Sequence, residues 1–240
     1  MKRFLKKIFG KRKQQCYDIS GENNKLIIIE NGVERIANKE IIPGLWVSIH
    51  GNNNIVKIEL PVHFENSSII ISDSDNADIY IRKTQYHVKN FSVNSRLHSG
   101  HKLFIDEDFY CNGATILLRE ENASVNIGKD CMFSWGITIW TSDGHCIFDN
   151  NTGELLNDPS GGGGGLIGNH VWVGCNVNLL KNAKIPDNSV VALGAIVSKR
   201  FEEENILLVG TNEIKRRNIK WSRDFITDYK RRKNENINRF

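Results

Sequence analysis

From Ile167 onward an aliphatic residue recurs at every sixth position: Ile167, Val173, Leu179, Ile185, Val191 and Val197. Four places after each of the first five stand Val171, Val177, Ala183, Ser189 and Ala195, small or aliphatic every time. A helix of 3.6 residues per turn cannot keep a six-residue repeat on one face. A coil of short strands joined by tight turns can, and Gly and Asn supply the unusual turn dihedrals. Ile167-Gly168 and Val173-Gly174 open hexads, and Asn169, Asn176, Asn182 and Asn188 fall near the corners. Such coils bury their aliphatic residues only by stacking on their neighbours. The pattern therefore predicts an all-β solenoid with one continuous core.

The same period occurs earlier, at Ile127-Gly128, Phe133 and Ile139, and further upstream it thins to every second hexad, at Ile69, Ile81, Val93, Ile105 and Leu117. The segments GLWVSI (44–49) and NIVKIEL (54–60) alternate like strands. Residues 21–126 are thus expected to form irregular N-terminal β coils of the same stack, a small separate β subdomain being the alternative. Ile167 stands 28 positions after Ile139, which is four out of phase with the hexads. A loop at about 145–166 must leave a regular β-helix that spans 127–212. Loops longer than about a dozen residues in a compact domain are uncommon and often functional. This one carries His145 and the glycines 161–165, which serve either as a flexible joint or as a plain spacer. A basic N-terminal segment (1–20) and a basic C-terminal helix (213–240) complete the organisation. The helix is inferred from Ile214, Trp221, Phe225 and Tyr229, which share one helical stripe and are expected to pack on the coils or on a neighbouring subunit.

No apolar run approaches the ~20 residues of a membrane span. The opening MKRFLKKIFGKRKQQ lacks the apolar core and cleavage site of a signal peptide. Cys16, Cys111, Cys131, Cys146 and Cys175 are scattered, without a CxxC pair, as suits thiols in a reducing cytoplasm. The net charge of +4 is uneven: residues 1–13 hold seven Lys or Arg and no acid, and residues 214–240 hold ten against three acids. Removing those ends leaves about −10 for the body. The ends are solvated tails, or they rest on an anionic membrane surface or an anionic polymer. Residues 3–9, with Phe4, Leu5, Ile8 and Phe9 among lysines, are a candidate surface helix for peripheral contact at the inner face of the membrane. No nucleic-acid partner is expected, since no recognised binding motif accompanies the charge.

The run IGNHVWVGCNVNLLKNAKIPDNSVVALGAIVSK (167–199) resembles the hexapeptide-repeat acyltransferases, and TSDGHCIFD (141–149) resembles the histidine segment of their sugar O-acetyltransferase branch. GTNEIKRRNIKW (210–221) is similar to the segment that leaves the β-helix there, although Gly210, Thr211, Asn212 and Glu213 replace the usual Gly-x-Pro-Ala. The resemblance covers about 127–221. It implies a left-handed parallel β-helix, a homotrimer with active sites between subunits, acetyl-coenzyme A along the outside of the coils, and a carbohydrate acceptor from a capsule or lipopolysaccharide. The basic ends suggest an anionic glycan such as polysialic acid, and neutral capsule or O-antigen units stay open.

Acetylating a hydroxyl requires a base, and a neutral imidazole suits that role, contributing roughly 10²–10⁴ in rate. By motif and by its place at the phase break, His145 is the candidate base. Asp143 or Asp149 is the candidate that orients the ring, or each simply caps a turn. The resemblance places Trp172 opposite the histidine, in the acceptor pocket or near the thioester; a packing role at the subunit seam is the alternative. His170 more often fills a turn. Small residues at Gly174, Ala192, Gly194 and Ala195 leave room for a pantetheine arm, and Ser198, Lys199 and Arg200 would meet the phosphates of the nucleotide end. No metal is expected, because His145 and His170 lack a third imidazole and Cys175 stands where a His-x4-His pair would place its second histidine. Two rival functions stay open at this point: N-acetylation of an amino sugar or nucleotide sugar, and a non-catalytic binding scaffold.

Overall fold

The computed structural model describes residues 17–37, 42–158 and 164–237, with side chains to residue 233. It is a left-handed parallel β-helix with three faces, each an eight-stranded sheet. From Leu45–His50 to Ile196–Val197 the chain visits the three sheets in rotation. The first runs from Tyr17–Ser20 to Ile196–Val197, the second from Lys25–Glu30 to Lys184–Ile185, and the third from His63–Glu65 to Leu207–Val209. Strand pairs are parallel except for two edge hairpins, Lys25–Glu30 with Val33–Ile36 and Leu207–Val209 with Glu213–Arg216.

The hexads fall where they must to fill the interior. Leu179 pairs with Val197, Ile167 with Ile185 and Val173 with Val191, so three hexads make one coil of eighteen residues. Val171, Val177, Ala183, Ser189 and Ala195 are all buried at the corners. Asn176, Asn182 and Asn188 hold left-handed turn conformations (φ 55°, 66° and 58°), as does His170 (φ 51°) in place of the expected Asn169. Asn and Asp tolerate this region because their short side chains bond locally. Asn169 instead bridges coils: its side chain accepts from the Lys129 amide at 2.9 Å and donates to Asp187 at 3.0 Å.

The N-terminal coils belong to the same stack, and they are wide rather than irregular. Ile69 pairs with Val93 and Val93 with Ile116, steps of 24 and 23 residues, because the first two faces carry strands of four to six residues there. The register thus places Ile116 in the core, and Leu117 faces partly outward. Phe91, Phe109 and Phe133 fill the wider bore edge to face, with centroids 5.9 and 5.1 Å apart.

Three boundaries differ from expectation. Among the described residues the stack already includes Tyr17, inside the basic segment 1–20, because Tyr17–Ser20 pairs with Val47–His50. The proposed membrane-surface helix at 3–9 lies outside the described residues. The loop ends at Gly164, not 166: Gly164 and Gly165 are already strand, and a Cβ on Gly164 would come within 2.6 Å of the Ser124 carbonyl. At the C-terminus the helix covers only Ile226–Ile237. Glu213–Arg216 is extended instead, pairing with the open edge of the third sheet that would otherwise expose unpaired backbone groups. Ile214 packs against the core and Trp221 is buried, whereas Phe225 is 77% exposed, so no single helical stripe docks on the coils.

Among the described residues no helix is long and apolar enough to cross a membrane. Cys111, Cys131, Cys146 and Cys175 are free thiols; burial pushes those of Cys111 and Cys131 up to about 12.

Candidate active site

The phase break is a loop extruded at the edge between the first and second sheets, after Ile137–Trp140 and before Gly164–Ile167. Its root is anchored on the preceding coil. The Thr141 hydroxyl donates to the Leu117 carbonyl and accepts from the Arg119 amide, each at 3.1 Å. The buried Ser142 hydroxyl donates to the Glu120 carboxylate and accepts from the Gly144 amide at 2.8 Å. The distal part is a short hairpin, with Phe148 paired to Leu155 and the Leu156 amide on the Ile147 carbonyl at 2.7 Å. Asp149 closes its tip by accepting from the Asn151 and Thr152 amides at 2.8 Å. Asp149 therefore caps a turn and does not touch an imidazole.

His145 stands exposed on this loop, lining a shallow pocket of about 170 Å³ with His98, Glu120, Asp143, Leu155 and Asn157. The Asn157 amide fixes the backbone around it, donating to the His145 carbonyl at 2.8 Å and accepting from the Ile147 amide at 2.8 Å. Asp143 points elsewhere: its Oδ2 accepts from Lys181 Nζ at 2.5 Å and from Asn157 at 3.2 Å. Lys181, on the next coil, also donates to the Asn157 carbonyl at 3.1 Å. Within one chain, then, Asp143 ties the loop to the coils and does not orient the ring.

The Lys181 ammonium, with help from Asn157, holds the Asp143 carboxyl below its ordinary 3.8. A lowered carboxyl pKa stabilises the folded arrangement above the ordinary value, and that stability is lost as pH falls through the lowered one. Protection of the amides over 143–157, measured relative to their intrinsic exchange rate at each pH, is therefore expected to stay flat at and above pH 5 and to fall only below pH 3.8. Lys181→Ala should produce the lower protection at every pH. Equal protection in wild type and variant would remove Lys181 as the tether.

Trp172 lies on the third sheet, away from this pocket, with 38% of its surface exposed. Beside it the C-terminal segment folds back: Trp221 stacks on His170 at 4.0 Å and lies 6.1 Å from Trp172. His170 is held by Asp130 at 2.7 Å, and its carbonyl accepts from the Trp221 indole at 2.9 Å. It serves as a corner and latch residue. Burial works to raise the Asp130 carboxyl, but Arg223 and His170 together hold it below the ordinary range.

The residues expected near the donor divide between two edges. Gly174, Ala192 and Gly194 lie where the third sheet turns into the first. A Cβ on Gly174 would meet the Leu193 amide nitrogen at 2.8 Å, so coil stacking alone requires glycine there. Ala195 faces the core and is 1% exposed, so it can offer a ligand only backbone. Ser198, Lys199 and Arg200 are exposed on the same edge as His145, two coils further on, and the Ser198 hydroxyl accepts from Asn212 at 2.8 Å. Lys181, Glu120 and His98 were not anticipated, because only the coil register brings them to the loop, and Ser142, on the loop itself, gains its role from Glu120 across coils.

No family model matches the chain. It is 32% identical over 151 residues to a polysialic acid O-acetyltransferase of Neisseria meningitidis, covering 63% of this chain and 66% of that protein. Identity to a polysialic acid O-acetyltransferase of Escherichia coli O1:K1 / APEC is 30% over 123 residues, covering 50% and 39%. Each match spans less than two thirds of the relative's length. The crystal structure of NeuO, described as a polySia-specific acetyltransferase, superimposes with a TM-score of 0.71 and 26% identity, over 93% of this chain and 98% of that one. The three-sided β-helix, from which one histidine-bearing loop is extruded here, is the architecture this chain shares with that acetyltransferase structure. The chain is similar in sequence and fold to hexapeptide-repeat acyltransferases and resembles their sugar O-acetyltransferase branch.

Proposed function

We propose that the chain is an acetyl-coenzyme A-dependent O-acetyltransferase acting on an acidic cell-surface polysaccharide or its precursor. The observation that carries this reading is the loop itself: an exposed imidazole at a pocket, on a backbone pinned by Asn157, Lys181 and Ser142. Rigid placement of a base is what lowers the barrier to attack by a hydroxyl. The names of the relatives support both the O-acetyl product and an acidic acceptor. The donor supplies the acetyl group as a thioester. His145 takes the acceptor's proton as its oxygen attacks the thioester carbon, and backbone N–H groups stabilise the oxyanion. Collapse of that adduct breaks the C–S bond and releases the coenzyme A thiol with the proton returned by His145, so no acyl-enzyme is required. Lys199 and Arg200 suit the donor's phosphates, standing exposed on the same edge.

Trp172 reaches a histidine loop only from another copy, which favours a homotrimer with sites between subunits. Phe148 and Leu156 on the loop, together with Leu166, Trp172 and Leu193, are exposed apolar side chains of the kind that subunit contacts cover. Chemical analysis of the product tests the reaction class. O-acetylation gives an alkali-labile ester, and an alkali-stable amide would establish N-acetylation instead.

A further inference from the structure

Arg96 closes the strand Phe91–Arg96, and Arg119 directly follows Ala114–Leu118. Ser95 pairs with Leu118, so the next rung sets Arg119 beside Arg96 on the edge from which the histidine loop emerges. Rungs of a sheet lie about 4.8 Å apart. Arg96 is exposed and Arg119 half-buried, and neither guanidinium has a hydrogen bond or ion pair among the described residues. The acids next to Arg119 are engaged elsewhere: Glu120 holds the Ser142 hydroxyl, and Glu121 accepts the Ser99 amide at 3.1 Å.

Arginines that serve structure are treated differently in this molecule. Arg82 is bracketed by Glu59, Asp106 and Glu107 at 3.1, 2.8 and 2.5 Å, and Arg223 is paired with Asp130 at 2.8 Å. Burial and the neighbouring Arg96 hold the Arg119 pKa below its usual value, which is the signature of a cation without a partner. Two such cations side by side in a body that carries about −10 are an unmet demand for anions. The pair adjoins the pocket, since His98 and Glu120 line it beside His145. It lies on the N-terminal side of the loop, opposite Ser198–Arg200, so acceptor and donor would approach from opposite sides.

We propose that Arg96 and Arg119 form the anion subsite of the acceptor, binding carboxylates of an acidic glycan and setting its hydroxyl against His145. This rests on the acetyltransferase reading above. The test measures binding of a sialic acid oligomer and of its neutral methyl ester to the full chain without donor, then KM for each substrate. Wild type should bind the acid and not the ester. Arg96→Gln, at an exposed position that does not threaten folding, should weaken binding about tenfold, and Arg96→Gln with Arg119→Gln by roughly a hundredfold. The double lysine variant should recover part of the loss, with KM for acetyl-coenzyme A unchanged throughout. Equal binding of acid and ester, full binding by the double glutamine variant, or a defect that falls on acetyl-coenzyme A would each overturn the subsite, the last by assigning the pair to donor phosphates. If the acid binds through these arginines yet no glycan elicits thiol release, the acetyltransferase reading fails and the subsite stands.

Discussion

His145→Ala is expected to lower thiol release from acetyl-coenzyme A by about 10²–10⁴ while leaving stability and coenzyme A affinity unchanged. The expectation follows from how the residue is held. Its ring makes no hydrogen bond or ion pair among the described residues, and Asn157 grips its backbone carbonyl, so alanine keeps the tether and deletes only the base. A loss of rate with an intact loop would therefore report chemistry and not folding. Because Trp172 lies on a different sheet from the loop, mixing His145→Ala with Trp172→Ala subunits should restore part of the activity through sites that receive one good residue from each copy. Steady-state rates on purified mixtures check this, and full activity in the His145→Ala protein alone would contradict the assignment of the base.

Phe133→Ala should destabilise the fold by about 3–5 kcal/mol, lowering Tm by roughly 10 °C. Phe133 is fully buried and packs edge to face on Phe109, which packs in turn on Phe91 across the bore. Close-packed interiors collapse only partly around such a deletion, so a cavity adds to the lost transfer energy. Phe225→Ala offers the contrast: that ring is 77% exposed, and its loss should change stability by no more than about 0.5 kcal/mol. Thermal unfolding of both variants checks the pair, and comparable shifts would mean that the aromatic stack does not carry the core.

What could be read in the sequence depended on the width of the coil. Beyond Ile167 three hexads close a coil, so Val173 and Val191 announce their contact by a constant interval. From Leu45 onward in the N-terminal half a coil takes 22 to 24 residues, and the intervals shift with strand length, so a spacing of twelve led to Leu117 when the core holds Ile116. The loop was legible as a break in phase, and His145 by its motif. Its supports were not, because Asp143 meets Lys181 and Ser142 meets Glu120 across coils, at separations of 38 and 22 residues that no local pattern encodes. Arg96 and Arg119 were hidden for the same reason. Glu213–Arg216 was misjudged because an apolar stripe does not reveal that a sheet edge needs a partner more than a helix needs a groove.

The most direct test of the account is the rate of thiol release by the wild-type protein from acetyl-coenzyme A, measured with a sialic acid oligomer, its methyl ester and no acceptor. Release that needs the acidic oligomer, with one acetyl ester formed on the glycan for each thiol freed, is the predicted result. Coenzyme A release that is independent of any glycan, or none with any acceptor in a panel of acidic and neutral oligosaccharides, would contradict it.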